Sequence, residues 1–179
     1  MSEMKERMLR GELYRVDDVL RAEGTRAQAL VERFNATADD SILRALLGHV
    51  GEGVLVRPPF RCDYGSQISI GAGTFVNFDC VMLDVAPIRI GEDCQIATRV
   101  QLLTATHPIE SGPRREGWES GAPIEIGDNV WLGGGVIVCP GVTIGDDTVV
   151  GAGAVVTSDL PSGVVAFGVP ARVHRAIGA

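Results

Sequence analysis

An aliphatic side chain recurs at every sixth residue in the C-terminal half of this chain, and that period limits the fold more than any other feature. The series comprises Ile126, Leu132, Val138, Ile144, Val150 and Val156. Glycine directly follows four of these repeat positions, and a β-branched or small residue stands two positions before each of them. An α-helix repeats about every 3.6 residues. A six-residue period therefore argues against a helix and is typical of a parallel β-helix.

The same period runs upstream with interruptions. Repeat positions fall at Tyr64, Ile70, Val76 and Met82 and, after a two-residue slip near Pro87, at Ile90, Ile96 and Leu102. The period is then lost until Ile126. The intervening segment is polar and rich in turn residues, and it predicts a loop over residues 105–123 that leaves the repeat. Long loops inside compact domains are more often functional than idle.

The repeat predicts a mainly β fold, a stack of triangular coils with three hexapeptides in each coil. The residue at the repeat position and the small residue two before it are expected to point inward. The glycine that follows is expected to ease a corner where a side chain would clash or φ would leave its usual range. Each coil satisfies its backbone polar groups only by bonding to the coils above and below it.

The two ends of the chain lack the repeat and are expected to close the stack. Residues 1–55 predict a helical cap, because apolar residues follow helical spacing over 4–14 and 19–34. A third short helix is expected over 42–47, after an N-cap cluster at Asp39, Asp40 and Ser41. The repeat is expected over 56–170, and residues 171–179 form a closing segment, either helix or strand.

The charge of the chain limits its partners. The formal net charge of −7 argues against nucleic acid or an anionic membrane as the main partner. No apolar run has the length of a membrane span, and residues 1–50 lack the apolar core of a signal peptide. We therefore expect a cytoplasmic protein.

The four cysteines show no spacing typical of a metal site. Cys62, Cys80 and Cys94 each precede a repeat position by two residues, which predicts buried, reduced thiols in the small inward slot. Cys62 and Cys80 are separated by one expected coil and should therefore stack on each other. A disulfide between them stays open as a less favoured alternative in a reducing compartment.

His107 is the first candidate for a catalytic residue. It stands at the root of the expected loop, and Pro108 biases its backbone toward an extended conformation. Its position alone leaves an ordinary loop histidine as an equally good interpretation. Asn77 and Asp84 are polar residues within the repeat region. They are either solvated corner residues or, if they face the loop, groups that hold a hydroxylated substrate.

Six short segments carry a resemblance to a known family. They are GELY at 11–14, RCDYG at 61–65, NFDC at 77–80, TATHP at 104–108, IGDNVWLGG at 126–134 and GVPAR at 168–172. In this order and spacing the chain resembles, over nearly its whole length, the maltose O-acetyltransferase and galactoside acetyltransferase family of hexapeptide-repeat acyltransferases. The resemblance implies a left-handed parallel β-helix, a homotrimer, acetyl-CoA bound between neighbouring chains, a sugar acceptor and no required metal.

The same resemblance implies roles for individual residues. His107 matches the family's general base and Asn77 the residue that holds the acceptor hydroxyl beside it. Asp63 matches a residue that contacts other sugar hydroxyls, and Asp17 or Asp18 supplies a further contact from the cap. The residues that match the acetyl-CoA groove are Trp131, Gly134, Ala152, Thr157, Arg172 and Arg175, of which the two arginines lie near the CoA phosphates.

The chain departs from the family pattern at a few positions. Ser158 stands where relatives carry lysine, which removes one expected phosphate contact, and Gly24 stands where an arginine is usual. Trp118 and Glu119 lie on the acceptor side of the loop. These changes leave the type of reaction intact and bear on which acceptor is used.

Three functions are compatible with these observations. The first is acetyl transfer from acetyl-CoA to a sugar hydroxyl. The second is acetyl transfer to another hydroxylated small molecule, such as an antibiotic or serine. The third is a non-catalytic β-helix subunit that only assembles, against which His107 and Asn77 argue. A zinc-dependent carbonic anhydrase is disfavoured, because zinc needs three ligands and the repeat region offers only His107.

Overall fold

The computed structural model describes residues 1–178, which form a three-sided parallel β-helix with a helical cap at its N-terminal end. The helices, numbered in chain order, are α1 Glu3–Leu9, α2 Asp18–Thr37, α3 Asp40–Leu46 and α4 Ser111–Arg115. Within residues 1–178, no helix combines the length and the apolar character that a membrane crossing requires. The mainly β architecture expected from the repeat is confirmed.

Short strands, numbered in chain order, form the three faces of the β-helix. The first sheet contains β1 His49–Val50, β4 Ile68–Ile70, β7 Ile88–Ile90, β12 Ile124–Ile126 and β15 Thr143–Ile144. The second contains β2 Leu55–Val56, β5 Phe75–Val76, β8 Gln95–Ile96, β13 Trp131–Leu132, β16 Val149–Val150, β18 Val164–Gly168 and β19 Ala171–Ala176. The third contains β3 Phe60–Cys62, β6 Cys80–Leu83, β9 Gln101–Leu103, β14 Ile137–Val138 and β17 Val155–Val156. The β-helix thus begins at His49, inside the range expected for the cap.

The coils are longer in the N-terminal half than the repeat predicted. Val56 pairs with Val76 in the next coil, whereas Ile126 pairs with Ile144, so the earlier coil contains two more residues than the later one. The two extra residues lie where the third sheet passes to the first. The slip near Pro87 is therefore confirmed, but an equal slip before Ile70 went unrecognised. The expectation of three hexapeptides per coil holds only after the loop.

This unrecognised slip makes two expectations about the first coils wrong. Tyr64 is half-buried and lies outside the strands, and Cys62 occupies the inward position instead, paired with Met82. Cys80 pairs with Phe60, so the two cysteines do not stack. All four cysteines are free thiols, and Cys62, Cys80 and Cys94 are buried as expected.

The phase assigned to the C-terminal repeat is confirmed. All six repeat residues from Ile126 to Val156, and the residues two before them, are buried. The corners explain the glycines. A Cβ on Gly133 would lie 2.6 Å from the backbone nitrogen of Ala152 in the next coil, which is far inside van der Waals contact. The left-handed conformation occurs two residues later, at Gly135, where φ is 70°. A clash with the next coil, not φ, therefore requires glycine directly after the repeat position.

Corners stack into edges, and two edges bear on function. We call the corner between the third and first sheets the His107 edge; it comprises residues 63–67, 84–87, 104–123, 139–142 and 157–159. The corner between the second and third sheets is the Asn77 edge; it comprises residues 57–59, 77–79, 97–99, 133–136 and 151–154. All extra residues of the longer coils, including the long loop, leave the stack at the His107 edge.

The long loop has more structure than the sequence indicated. Its two arms form an antiparallel ribbon of β10 Ala105–Thr106 and β11 Ser120–Gly121, and α4 lies at its tip. The cap holds the second arm. Tyr14 and Glu119 exchange two backbone hydrogen bonds of 2.9 and 3.0 Å, and the Arg15 guanidinium carbon lies 4.7 Å from the centre of the Trp118 ring. The loop is thus fixed at its base and along its side.

The cap also covers the first coil of the β-helix. The Asn35 side chain on α2 donates to the Phe60 carbonyl oxygen at 2.9 Å and accepts from the Phe60 amide at 2.8 Å. Gln28 donates to the Cys62 carbonyl oxygen at 2.8 Å. These contacts replace the neighbouring coil that the first coil lacks. At the opposite end the closing segment is a strand, β19, which pairs antiparallel with β18.

The inward phase of the repeat can be tested at Ile144, which is fully buried and paired with Ile126. Ile144→Asp would place a carboxylate without a partner in the core, at a cost of roughly 3–5 kcal/mol or more. We expect insoluble protein or a large loss of thermal stability, measured by gel filtration and thermal unfolding. Leu55→Asp is the control, because Leu55 points outward from β2 with 52% of its surface exposed. A soluble Ile144→Asp protein that melts like the control would contradict the assigned phase.

Candidate active site

His107 follows the first arm of the ribbon and is exposed at the His107 edge. Its Nδ1 atom lies 3.5 Å from the carbonyl oxygen of Trp118, at the long limit of a hydrogen bond. A carbonyl oxygen only accepts, so this contact favours the tautomer with a proton on Nδ1. The lone pair of Nε2 is then free to take a proton from a substrate.

A cavity of about 420 Å³ opens beside His107 between the cap and the β-helix. Its apolar wall consists of Val16, Leu20, Leu83, Val85 and Ala105. Its polar lining consists of Tyr14, Arg21, Thr25, Gln28, Asp63, Tyr64, His107 and Glu119. A cavity of this size with converging polar groups is typical of a small-molecule site.

Asp63 lines this cavity, as expected for a residue that contacts an acceptor. Asp84 does not line the cavity. The structure therefore corrects the expectation that Asp84 contacts the substrate. The Asp84 carboxylate is fully buried and accepts hydrogen bonds from the backbone amides of Asp63, Tyr64 and Gln67 at 2.9–3.2 Å. Asp84 therefore holds the shape of the corner that presents Asp63. Burial raises the pKa of Asp63 to about 6, and the charges of Asp84 and Glu119 act in the same direction.

Asp17 and Asp18 stand at the start of α2, outside the lining of the cavity. Asp17 is the N-cap and accepts a hydrogen bond from the Leu20 amide at 3.0 Å, which lowers the pKa of its carboxyl. Asp18 is exposed and lies 3.8 Å from Arg21. In this chain Asp17 shapes the helix that supplies Leu20 and Arg21 to the cavity. A contact of Asp17 or Asp18 with the acceptor stays a prediction.

Two tyrosines of the cavity were missed as site residues. The sequence identifies Tyr14 only as part of a family motif and predicts Tyr64 to be a core residue. The Tyr14 side chain is fully buried, and its hydroxyl lies near the Glu119 carboxylate without a hydrogen bond of standard geometry within residues 1–178. Burial raises the pKa of both tyrosines. The sequence contained one indication against a core position for Tyr64, because the narrow interior of a β-helix has no room for a tyrosine with a buried hydroxyl.

Asn77 lies on the other edge of the chain. It follows β5 of the second sheet, whereas His107 follows strands that lead out of the third sheet. A separate surface pocket of about 160 Å³ contains Asn77, Gln95 and Trp131. One chain therefore does not bring Asn77 beside His107.

The six residues expected to bind acetyl-CoA are divided in the same way. Trp131 lies on the outer face of the second sheet with 54% of its surface exposed. Gly134 and Ala152 follow it on the Asn77 edge, and Thr157 lies on the His107 edge. Arg172 and Arg175 are exposed on β19, at one side of the second sheet. Within residues 1–178, no group of three or more His, Cys, Asp or Glu side chains is placed to hold a metal ion.

Two family models match the chain. Residues 7–51 match the maltose acetyltransferase hexapeptide capping motif, and residues 123–158 match the bacterial transferase hexapeptide with six repeats. Among relatives, Nodulation protein L of Rhizobium meliloti is 50% identical over 95% of this chain and 97% of its own length. Galactoside O-acetyltransferase of Escherichia coli is 39% identical over 97% of this chain and 89% of its own length.

Solved structures agree with these relatives. A maltose O-acetyltransferase from Clostridium difficile is 45% identical and covers 99% of both chains, with a TM-score of 0.97. A galactoside acetyltransferase in complex with coenzyme A is 38% identical and covers 99% of this chain and 92% of its own, with a TM-score of 0.94. The coils are thus those of a left-handed parallel β-helix. From its cap, its repeat and these relatives together, the chain belongs to the hexapeptide-repeat acetyltransferase family of the maltose and galactoside O-acetyltransferases.

Proposed function

We propose that this chain transfers an acetyl group from acetyl-CoA to a hydroxyl group of a sugar, with His107 as the general base. The observation that carries the proposal is the position of His107, with Nδ1 against a backbone carbonyl and its ring at a cavity of about 420 Å³ lined by polar groups. His107 takes the proton of the acceptor hydroxyl as that oxygen attacks the thioester carbonyl. The C–S bond then breaks, an ester forms, and the proton passes to the CoA thiolate.

The proposal includes a homotrimer, because one chain holds the two halves of the site on different edges. In the trimer, the His107 edge of one chain faces the Asn77 edge of the next. The acetyl-CoA groove then has two walls, one with Thr157 and the other with Trp131, Gly134 and Ala152. The Asn77 side chain from the neighbour holds the acceptor hydroxyl. A cytoplasmic location, expected from the sequence, stays a prediction.

Acetyl-CoA fits the residues of the second wall. The exposed Trp131 ring offers an apolar face, and the small residues at Gly134 and Ala152 leave space beside it. Arg172 and Arg175 are exposed cations that suit the phosphates of the nucleotide end. The relatives whose structures contain CoA or acetyl-CoA are consistent with this assignment.

The function is tested by measuring thiol release from acetyl-CoA with a panel of acceptors. Glucose, maltose and galactosides test the sugar class, and chloramphenicol and serine test other hydroxylated molecules. Acetylation of sugars above the rate without acceptor is the expected result. Turnover restricted to chloramphenicol or serine would replace the sugar proposal by the second function, and no turnover with any acceptor would leave the non-catalytic subunit as the better interpretation.

The role of His107 is tested by His107→Ala. A positioned general base contributes roughly two to four decades in rate, and we expect kcat to fall by that amount with little change in KM for acetyl-CoA. His49→Ala is the matched control, because His49 is exposed at the first strand, away from the cavity. Turnover of His107→Ala within a few-fold of the control would remove His107 from the mechanism.

The shared site is tested by mixing two inactive variants. His107→Ala and Asn77→Ala carry different affinity tags, are co-expressed, and are purified through both tags so that every trimer is mixed. Each mixed trimer joins one intact His107 edge to one intact Asn77 edge, so we expect about one third of wild-type activity. Each variant alone supplies the background. Mixed trimers as inactive as the separate variants, or a fully active monomer by light scattering, would contradict the shared site.

The role of the C-terminal arginines is tested by Arg172→Ala. Loss of a phosphate contact is expected to raise KM for acetyl-CoA several-fold and to leave KM for the sugar nearly unchanged. Raised salt should weaken acetyl-CoA binding more in the wild type than in the variant, because salt screens the arginine–phosphate attraction that only the wild type has. Arg33→Ala in the exposed face of α2 is the control. Equal KM values in the two variants would assign Arg172 to a solvated surface.

A further inference from the structure

The second arm of the loop runs between the first arm and the cap. Its Ser120 pairs with Thr106 of the first arm, and its Glu119 pairs with the cap. One residue further, the Trp118 carbonyl oxygen faces Nδ1 of His107. The same short segment therefore contacts the cap on one side and the proposed base on the other.

Backbone pairing holds this arm at few points. The ribbon pairs only Ala105–Thr106 with Ser120–Gly121 and ends before His107. The pairing with the cap is an isolated bridge at Tyr14. A two-stranded ribbon is marginally stable without further packing. The position of the Trp118 carbonyl therefore depends on additional contacts.

The Trp118 side chain supplies such contacts. The ring is half-buried, and the guanidinium carbons of Arg15 and Arg7 lie over it at 4.7 and 5.6 Å from its centre. The indole Nε1 donates to the Glu116 carboxylate at 3.2 Å. A cation within about 6 Å of a tryptophan ring centre is attracted by the negative face of the ring. The indole thus ties the second arm to the cap.

Arg15 is the stronger of the two partners. It is nearer to the ring, and within residues 1–178 its side chain forms no salt bridge that would draw its charge away. Arg7 is shared, because its Nε donates to the Leu13 carbonyl oxygen at 2.6 Å and lies 3.9 Å from the Glu12 carboxylate. Both guanidinium groups come from the cap, so the cap fixes the ring.

The tautomer of His107 depends on the carbonyl that this ring holds. A neutral histidine in water carries its proton mostly on Nε2, and such a ring has no Nε2 lone pair for a substrate hydroxyl. A carbonyl oxygen opposite Nδ1 reverses that preference by accepting the Nδ1 proton. The observed distance of 3.5 Å is at the long limit of a hydrogen bond. A small displacement of the Trp118 carbonyl would therefore break the contact.

We infer that Trp118 is a positioning residue for the general base, because its carbonyl keeps Nε2 of His107 free to accept a proton. Arg15 and Arg7 hold its indole against the cap and thereby hold the carbonyl in place. This inference rests on the proposed function, in which His107 is the base. The three residues act on the tautomer of the base and do not touch the reacting atoms. The cap thus contributes to the rate as well as to the shape of the cavity.

The tautomer is tested by NMR of protein labelled with nitrogen-15 in histidine. At alkaline pH, long-range proton–nitrogen spectra show which ring nitrogen carries the proton, and the chain has only three histidines. We expect the proton of His107 on Nδ1 in the wild type and on Nε2 in most molecules of Trp118→Ala. His49 and His174 are expected to stay unchanged. A proton on Nε2 in the wild type, or the same tautomer in both proteins, would overturn the inference.

Kinetics test whether the tautomer limits the rate. A misplaced group lowers the rate more than it weakens binding, so we expect Trp118→Ala to lower kcat by roughly ten- to a hundredfold. KM for acetyl-CoA is expected to stay nearly unchanged. Trp118→Phe keeps an aromatic ring for the arginines and is expected to retain kcat within a few-fold. A Trp118→Ala protein with the kcat of the wild type would contradict the inference.

Arg15→Met provides a second variant that leaves the loop sequence intact. It removes the charge over the ring, and we expect kcat to fall several-fold. Added to Trp118→Ala, it is expected to cause no further loss, because both changes remove one contact. Arg10→Met is the matched control, since Arg10 is exposed in the same part of the cap and pairs with Glu12. Equal kcat in the two methionine variants would refute the role of Arg15.

The outcomes separate this inference from the proposed function. An unchanged tautomer and rate in Trp118→Ala, together with wild-type turnover that His107→Ala abolishes, would refute the inference and leave the proposed function standing. A wild type without turnover on any acceptor would refute the proposed function, and the NMR comparison would still decide the inference.

Discussion

Hydrogen bonding between successive coils is the constraint on which this structure depends. A strand as short as those of this chain cannot satisfy its backbone groups by itself, so each coil must keep register with the coils on both sides. Any extra residue has to leave the stack at a corner. This chain has three insertions: the segment around Asp63, the segment after Leu83 and the long loop. All three leave the stack at the same corner, so they lie next to one another along one edge. The stacking rule alone thus places the groups of the cavity next to one another.

The helical cap forms the second side of the cavity whose first side is built by the insertions. Its second helix covers the open backbone of the first coil through Asn35 and Gln28, and the segment before that helix pairs with the second arm of the loop through Tyr14 and Glu119. Of these residues, Tyr14, Gln28 and Glu119 also line the cavity beside His107. The buried Asp84 carboxylate accepts hydrogen bonds from three backbone amides, and these bonds fix the corner that carries Asp63. Structural and site-forming contacts are therefore largely the same contacts.

The sequence predicted much of this fold because hexapeptide periodicity reports directly on side-chain direction. The inward phase from Ile126 to Val156, the helical cap and the extruded loop were all predictable. The slip before Ile70 was not, because Tyr64 and Ile70 keep a six-residue spacing by coincidence while Cys62, two residues before Tyr64, takes the inward position. That error placed Tyr64 in the core. Roles that depend on three-dimensional proximity were also beyond reach, such as the burial of Asp84 and the placement of Asn77 and His107 on separate edges.

The attachment of the loop to the cap has an evolutionary consequence. The cap also lines the cavity with Val16, Arg21 and Thr25, and within residues 1–178 none of these side chains forms a hydrogen bond or salt bridge with a coil. Mutations at these positions can therefore alter the outline and polarity of the cavity without disturbing the repeat that carries the fold. Such a division lets acceptor range drift within a lineage while the acyl-transfer scaffold stays under separate selection. Diversity in this family is expected to concentrate in the cap and the second arm of the loop.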